Sequence, residues 1–157
     1  MDYLIIDLPP GTGDIQLTLA QQIPVSGAII VTTPQDIALI DAQRGLGMFA
    51  KVNVPVLGIV ENMSMHICSK CGHAEAIFGE GGGAAMSEKN KVDFLGSLPL
   101  DINIRKNADS GKPTVVAEPD GRAAQIYKEI ARKTAAKLAL KAKDFSTRFP
   151  NIVVQNT

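Results

Sequence analysis

The sequence of 157 residues has no tryptophan, only two cysteines and no surplus of charge of either sign. Lys plus Arg number 16, and Asp plus Glu also number 16. No global field therefore draws the chain to nucleic acid or to an anionic membrane, and neither partner is expected. No apolar run approaches the ~20 residues that cross a bilayer as a helix. The first residues show no basic segment followed by a cleavable apolar stretch, so a cytoplasmic location is expected. In that compartment Cys68 and Cys71 are read as metal-binding or redox-active, not as a structural disulfide. The low aromatic content, 4%, suits an α/β chain rich in Ile, Val, Leu and Ala.

What is present is enough for one ordinary domain, since 45% of the residues are hydrophobic. Residues Tyr3 to Leu8, Ala28 to Val31 and Val56 to Val60 form short Ile- and Val-rich runs bounded by Pro or Gly, and Phe94 to Leu98 forms a fourth. Such runs predict parallel strands covered on both faces. Between them, Asp14 to Gln22 and Asp36 to Lys51 read as helices, with Asp14 and Asp36 as caps. The alternation predicts an open parallel sheet with right-handed crossovers. Residues 63–90 hold both cysteines, both histidines and Gly81 to Gly83, and read as a functional insertion with a metal loop at 63–80. Beyond the fourth strand come a short helix or turn (Asp101 to Ser110), a loop (Gly111 to Pro119) and a long helix (Asp120 to Ala142). In that helix Ala124, Ile130, Ala131, Ala135 and Leu138 form the apolar stripe, while Lys128, Arg132, Lys133 and Lys137 face water. Residues 1–143 thus make one domain, and 144–157 a tail.

The first strand runs into "DLPPGTGD". Asp7 would stand at the carboxyl end of a buried strand, where ligands of an open parallel sheet bind and where an unpaired carboxylate is costly. There it can hold Mg²⁺ or its waters, the role of a Walker B acid. Gly11 and Gly13 leave bare backbone N–H groups that can approach a phosphate closely. The plainer alternative is a strand followed by a tight turn, with Asp7 capping it.

In "MHICSKCGH" one tight turn can aim Cys68 and Cys71 at a single metal. Thiolates favour Fe–S clusters, zinc or copper(I) over hard cations. Two cysteines are half of a four-thiolate site, so a Cys₄ cluster would need a second copy of the chain. A thiol–disulfide redox pair, a zinc site using Cys68, Cys71, His66 and His73, zinc shared by two chains, and two incidental thiols remain alternatives. The G-x-G-x-x-A pattern at Gly79 to Ala84 does not follow a strand, so it is read as a flexible connector and not as a dinucleotide loop.

Taken in order, "DLPPGTGD", "VTTPQDIALIDAQRG", "GIVENMS", "CSKC", "FGEGGG", "LGSLPLDINIR" and "DSGKP" resemble the Mrp/ApbC family of iron–sulfur carrier proteins, within the deviant Walker P-loop ATPases. The resemblance covers nearly the whole chain. It implies a parallel sheet of the P-loop NTPase (SIMIBI, MinD-like) type, incomplete on its N-terminal side. It implies ATP and Mg²⁺ at the strand ends, with Asp7, Gly11 and Gly13 in the switch II segment. Asn62 would hydrogen-bond the adenine, beside a loop formed by Pro99, Leu100 and Asp101. It also implies a [4Fe–4S] cluster held between the Cys68 and Cys71 pairs of a homodimer, for delivery to recipient apoproteins.

One departure is large. No G-x-x-x-x-G-K-[ST] occurs, and the only "GK", Gly111–Lys112, precedes a proline. The resemblance therefore implies the C-terminal part of a longer ATPase, unable to hydrolyse ATP by itself. Competing readings are a MinD/ParA-type partitioning or membrane-surface ATPase and a zinc-bridged dimerisation module. The lysine-rich last helix is short of the bulky apolar residues that a membrane anchor uses. Arg105 and Lys112 are either solvated or near a ligand, and Asp36 has a switch role as a further option.

Overall fold

The computed structural model describes residues 2–9, 13–68 and 70–141. Its elements follow in the order α1 (Asp14–Gln22), β1 (Ala28–Thr32), α2 (Asp36–Lys51), β2 (Val56–Glu61), β3 (His66–Ile67), β4 (Ala74–Glu75), α3 (Gly82–Asn90), β5 (Phe94–Ser97), α4 (Ile102–Asp109), α5 (Thr114–Ala117) and α6 (Arg122–Lys141). Strands β1, β2 and β5 form a parallel sheet in that order, and β3 and β4 form a separate antiparallel hairpin. Both crossovers of the parallel sheet run through a helix, α2 and then α3, as parallel pairing requires.

The Val, Ile and Leu residues of β2 drive the core. Every β2 residue from Leu57 to Glu61 is buried, because β2 is the central strand and is covered on both faces. On one side Ile30, Leu46, Phe49, Ile59 and Met86 pack together under α2 and α3. On the other, Val60, Leu95 and Leu98 receive Ile126, Tyr127 and Ile130 of α6. Gly58 lets β5 approach closely, since a Cβ there would lie 2.4 Å from Leu95 Cγ.

Several expectations are corrected. Residues 3–8 are not a strand: 3–7 are exposed, Ile5 to 90%, and none is paired. An apolar run expresses a preference for burial, whereas a strand also needs a hydrogen-bonded neighbour. Among the described residues β1 pairs only with β2, leaving 3–8 without one. Only Leu8 reaches the core, and Gln16 Nε2 donates to Pro9 O at 2.9 Å. β1 is likewise not covered on both faces, for its burial alternates and Val31 is 61% exposed.

The caps move by one residue. Gly13 and Gln35 occupy the cap positions of α1 and α2, and Asp14 and Asp36 lie in the first turns, where a carboxylate suits the helix dipole. The Gly79 to Ala84 run is not a loose connector throughout: Gly81 caps α3 at φ 72°, and Gly82 and Gly83 are helical. The loop at 111–119 contains the single turn α5. On α6, Ala131 is exposed, and its inward face uses Ile126 and Tyr127. Three of its lysines do not simply face water. Lys133 Nζ donates to Leu95 O at 2.9 Å, Lys128 Nζ to Pro119 O at 2.5 Å, and Lys137 pairs with Asp93. Ala142 and the tail at 144–157 lie outside the described residues.

Candidate functional site

Parallel strands bring their carboxyl ends to one edge, so the segments that follow β1, β2 and β5 meet there. After β2, Asn62 N donates to Thr32 O of β1 at 2.7 Å, and Leu98 N beyond β5 donates to Glu61 O at 2.8 Å. These bonds continue the sheet one step past its last strand residues. Asn62 is half-buried, and its Oδ1 accepts from Met63 N at 2.9 Å. Met63 itself is held at φ 55°, a left-handed conformation uncommon for a non-glycine residue.

The chain then leaves the sheet along the β5 loop. Ser64 N and Oγ each donate to Leu98 O at 3.0 Å. Leu100 N donates to Met65 O at 2.9 Å, and Leu100 O accepts from His66 Nδ1 at 3.1 Å. A carbonyl only accepts, so the imidazole carries its proton on Nδ1 in this contact. His66 and Leu100 also form a parallel bridge. The root of the β3–β4 hairpin is thus stitched to the 98–100 segment over three consecutive residues.

At the tip, Cys68 N donates to His73 O at 2.9 Å and Gly72 N to Cys68 O at 2.8 Å. Gly72 closes the turn at φ 72°, where a side chain would be strained. The backbone N–H groups of Cys71 and Lys70 face the Cys68 sulfur, with a smaller contribution from the Cys71 side chain. These donors favour the thiolate and hold the Cys68 thiol below its ordinary range. The positive field of His66 acts in the same direction, weakly. Cys68 is half-buried, Cys71 is exposed, and both are free thiols. The arrangement supplies two soft donors in one turn, with backbone N–H groups that favour the thiolate form of Cys68.

Between the hairpin, β5 and the start of α6 lies a cavity of about 450 Å³. Pro99, Leu100 and Asp101 line one side, with Glu61, Glu80 and Arg122 among the other walls. Asp101 also caps α4, its Oδ1 accepting from Asn103 N at 2.7 Å. Glu61 is 3% exposed, and its Oε2 accepts from Gly83 N at 2.6 Å at the start of α3. Sequence reasoning missed Glu61 by ending the strand one residue early. The available signal was a charged residue closing a wholly apolar run.

The structure thus joins the root of the cysteine hairpin to the 98–100 segment and sets Pro99, Leu100 and Asp101 on the cavity wall, while Asn62 stands at the end of β2 and is not among the residues lining that cavity. It does not bring Asp7 to this edge as a strand-end residue: Asp7 is exposed and outside the sheet. Gly13 is exposed at the start of α1, and Gly11 lies outside the described residues. No group of three or more His, Cys, Asp and Glu side chains gathers as a metal site among the described residues. The zinc set of Cys68, Cys71, His66 and His73 is therefore not assembled within one chain. Arg105 is an exposed partner of Asp109 at 2.7 Å, and Lys112 is exposed. No helix among the described residues is long and apolar enough to cross a membrane.

Comparison with known proteins bears on the family and the fold. Residues 1–135 match the family described as ParA, NUBPL iron-transfer P-loop NTPase. The iron-sulfur cluster carrier protein of Pseudomonas fragi is 63% identical over 131 residues, which span 83% of this chain and 46% of that protein. The mouse iron-sulfur cluster transfer protein NUBPL is 50% identical over 138 residues, 88% of this chain and 43% of that protein. A solved nucleotide-binding protein of Archaeoglobus fulgidus, in complex with ADP, is 40% identical with a TM-score of 0.66, over 77% of this chain and 49% of that one. The cell division ATPase MinD of Pyrococcus furiosus is 22% identical with a TM-score of 0.56, over 71% and 43% of the two chains, a likeness of fold. The chain spans less than half the length of these relatives.

Proposed function

Because the chain belongs to the ParA/NUBPL family of iron-transfer P-loop NTPases, we propose that it carries iron–sulfur clusters for delivery to recipient apoproteins. The observation that carries the proposal is the hairpin tip, where Cys68 and Cys71 are free and backbone N–H groups stabilise the Cys68 thiolate. The cluster is cargo, and its release requires ligands that a recipient can displace, which favours an accessible tip over a buried cage. Two thiolates leave half of a [4Fe–4S] coordination set unfilled, so a second copy supplies Cys68 and Cys71 across a two-fold axis. Zinc bound by the same four thiolates is the competing occupant under aerobic conditions. Free thiols of this kind fit a reducing cytoplasmic compartment.

Asn62 with Pro99, Leu100 and Asp101 is assigned to the adenine side of a nucleotide site. Its support is the half-buried Asn62 at the strand ends and the cavity wall formed by the loop. Among the described residues no three His, Cys, Asp or Glu side chains gather, and the sequence has no G-x-x-x-x-G-K-[ST]. Roles for Asp7 at Mg²⁺ and for Gly11 and Gly13 at the γ-phosphate belong to a longer protein that supplies the P-loop.

The test is anaerobic reconstitution with ferrous iron and sulfide, followed by visible spectra and native mass. The wild-type chain is expected to form a brown dimer with one cluster per two chains. Cys68→Ser is expected to lose both colour and dimer. A mutant with an unchanged cluster and mass would sink the bridging arrangement.

A further inference from the structure

Leu100 is gripped on both sides by the hairpin root, its N–H donating to Met65 O at 2.9 Å and its C=O accepting from the His66 ring at 3.1 Å. Two residues beyond His66 stands Cys68, and on either side of Leu100 stand Pro99 and Asp101 of the cavity wall. Ser64 adds two bonds to Leu98 O. Among the described residues the cysteine tip is anchored otherwise by its own hairpin, through the pairs His66 with Glu75 and Ile67 with Ala74 and the bond from Cys68 N to His73 O. A hairpin of two residues per strand has little stability of its own. Its orientation is therefore set by what holds its root, and that is the 98–100 segment.

We propose that His66 is a positioning residue that couples the Pro99–Asp101 loop to the thiol pair, so that a ligand seated in the adjoining cavity changes how Cys68 and Cys71 are presented. The coupling rests on the cargo reading of Cys68 and Cys71 and on the ligand-binding reading of the loop. The imidazole is the side chain that bridges the two segments at Leu100, and it lies on the strand that ends in the cysteine turn. When the loop moves, Leu100 O carries His66 with it, and β3 follows. The backbone bond from Leu100 to Met65 supports the same motion one residue further from the tip.

The test is a double-substitution cycle in the full 157-residue chain, crossing Pro99→Gly with His66→Phe and including His66→Asn. Asn offers an amide donor near the place of Nδ1, whereas Phe keeps ring volume without one. The first readout is hydrogen–deuterium exchange at the Cys68 and Gly72 amides, which report the tip without any cargo. Pro99→Gly is expected to raise their exchange roughly five-fold in the wild-type background and at most about two-fold with His66→Phe. His66→Asn is expected to restore the larger response. The second readout is the half-life of a reconstituted cluster against a ferrous chelator, expected to follow the same pattern. Equal responses in both backgrounds, or no response at the tip in the wild-type background, overturn the coupling. A wild-type chain that takes up no cluster sinks the cargo reading, and the exchange cycle still decides the link.

Discussion

The Glu61 carboxylate accepts a 2.6 Å hydrogen bond from the backbone N–H of Gly83, joining the end of β2 to the first turn of α3. The carboxyl group is buried, and the first turn of α3 provides its donor. The two residues also bracket the cysteine hairpin, one at its entry and one just past its exit. Removing the acceptor leaves a buried N–H unsatisfied. Glu61→Ala is expected to lower stability by about 2–3 kcal/mol, and Glu61→Gln, which keeps an oxygen, by about 1 kcal/mol. Gly83→Ala places a Cβ 3.0 Å from Glu61 Cβ and 3.1 Å from Oε2, so it is also destabilising, by about 1–3 kcal/mol. Urea denaturation checks the order; equal midpoints for Glu61→Ala and wild type would remove the bond from the account.

The far end of α3 is held by a reciprocal amide pair. Gln43 Nε2 donates to Asn90 Oδ1 at 2.9 Å, and Asn90 Nδ2 donates to Gln43 Oε1 at 3.0 Å. Asn90 Nδ2 also reaches Met86 O at 2.8 Å. Because Asn90 makes the additional bond, Asn90→Ala is expected to be more damaging than Gln43→Ala. Each net hydrogen bond contributes about 1 kcal/mol, and the double mutant is expected to fall short of the sum by about 0.5–1.5 kcal/mol. An additive cycle would mean that the pair is geometric and carries no energy.

Glycines distinguish the packed sheet from the open helix surface. A Cβ at Gly58 would meet Leu95 at 2.4–2.8 Å, with both residues buried in adjacent strands. Gly58→Ala is therefore expected to destabilise by about 2–3 kcal/mol. Gly47 is exposed in the middle of α2 and has nothing within 4 Å of a Cβ. Gly47→Ala is expected to stabilise by about 0.5–1 kcal/mol through helix propensity and reduced unfolded-state entropy. Opposite shifts in thermal midpoint are the expected outcome. A destabilising Gly47→Ala would reveal a neighbour on that face.

These elements differ in how far the amino-acid pattern alone specified them. The sheet strands 28–31, 56–60 and 94–98 and the helices at 14–22 and 36–51 were legible to within a residue or two, because apolar periodicity and flanking Gly and Pro are local. The same kind of apolar run misled at Tyr3 to Leu8, since strand formation depends on a lateral partner that local pattern does not encode. Spacing pointed to the turn that carries Cys68 and Cys71, and the family resemblance to Pro99, Leu100 and Asp101, which line a cavity beside the hairpin root. Glu61 and His66 were not assigned their roles. Their importance arises from Gly83, 22 residues on, and Leu100, 34 residues on, and such contacts exist only once the fold is formed.

The Cys68 thiol is held low chiefly by the backbone N–H groups of Cys71 and Lys70, then by the Cys71 side chain. A thiol whose folded pKa is depressed favours the fold above its unfolded pKa. That contribution is lost as pH falls through the lower, folded value. The same shift governs reactivity, because the thiolate is the nucleophile. In Cys71→Ala, Cys68 is the sole thiol and keeps its two largest stabilising donors. Its alkylation by iodoacetamide is expected to reach half-maximal rate at a lower pH in the native chain than in urea. Gly72→Ala, which forces a side chain into φ 72°, is expected to disturb the turn and move the midpoint towards the unfolded value. Coincident native and unfolded profiles in the single-thiol chain would show that the turn does not stabilise the thiolate, and would remove the electrostatic basis for cluster capture at this tip.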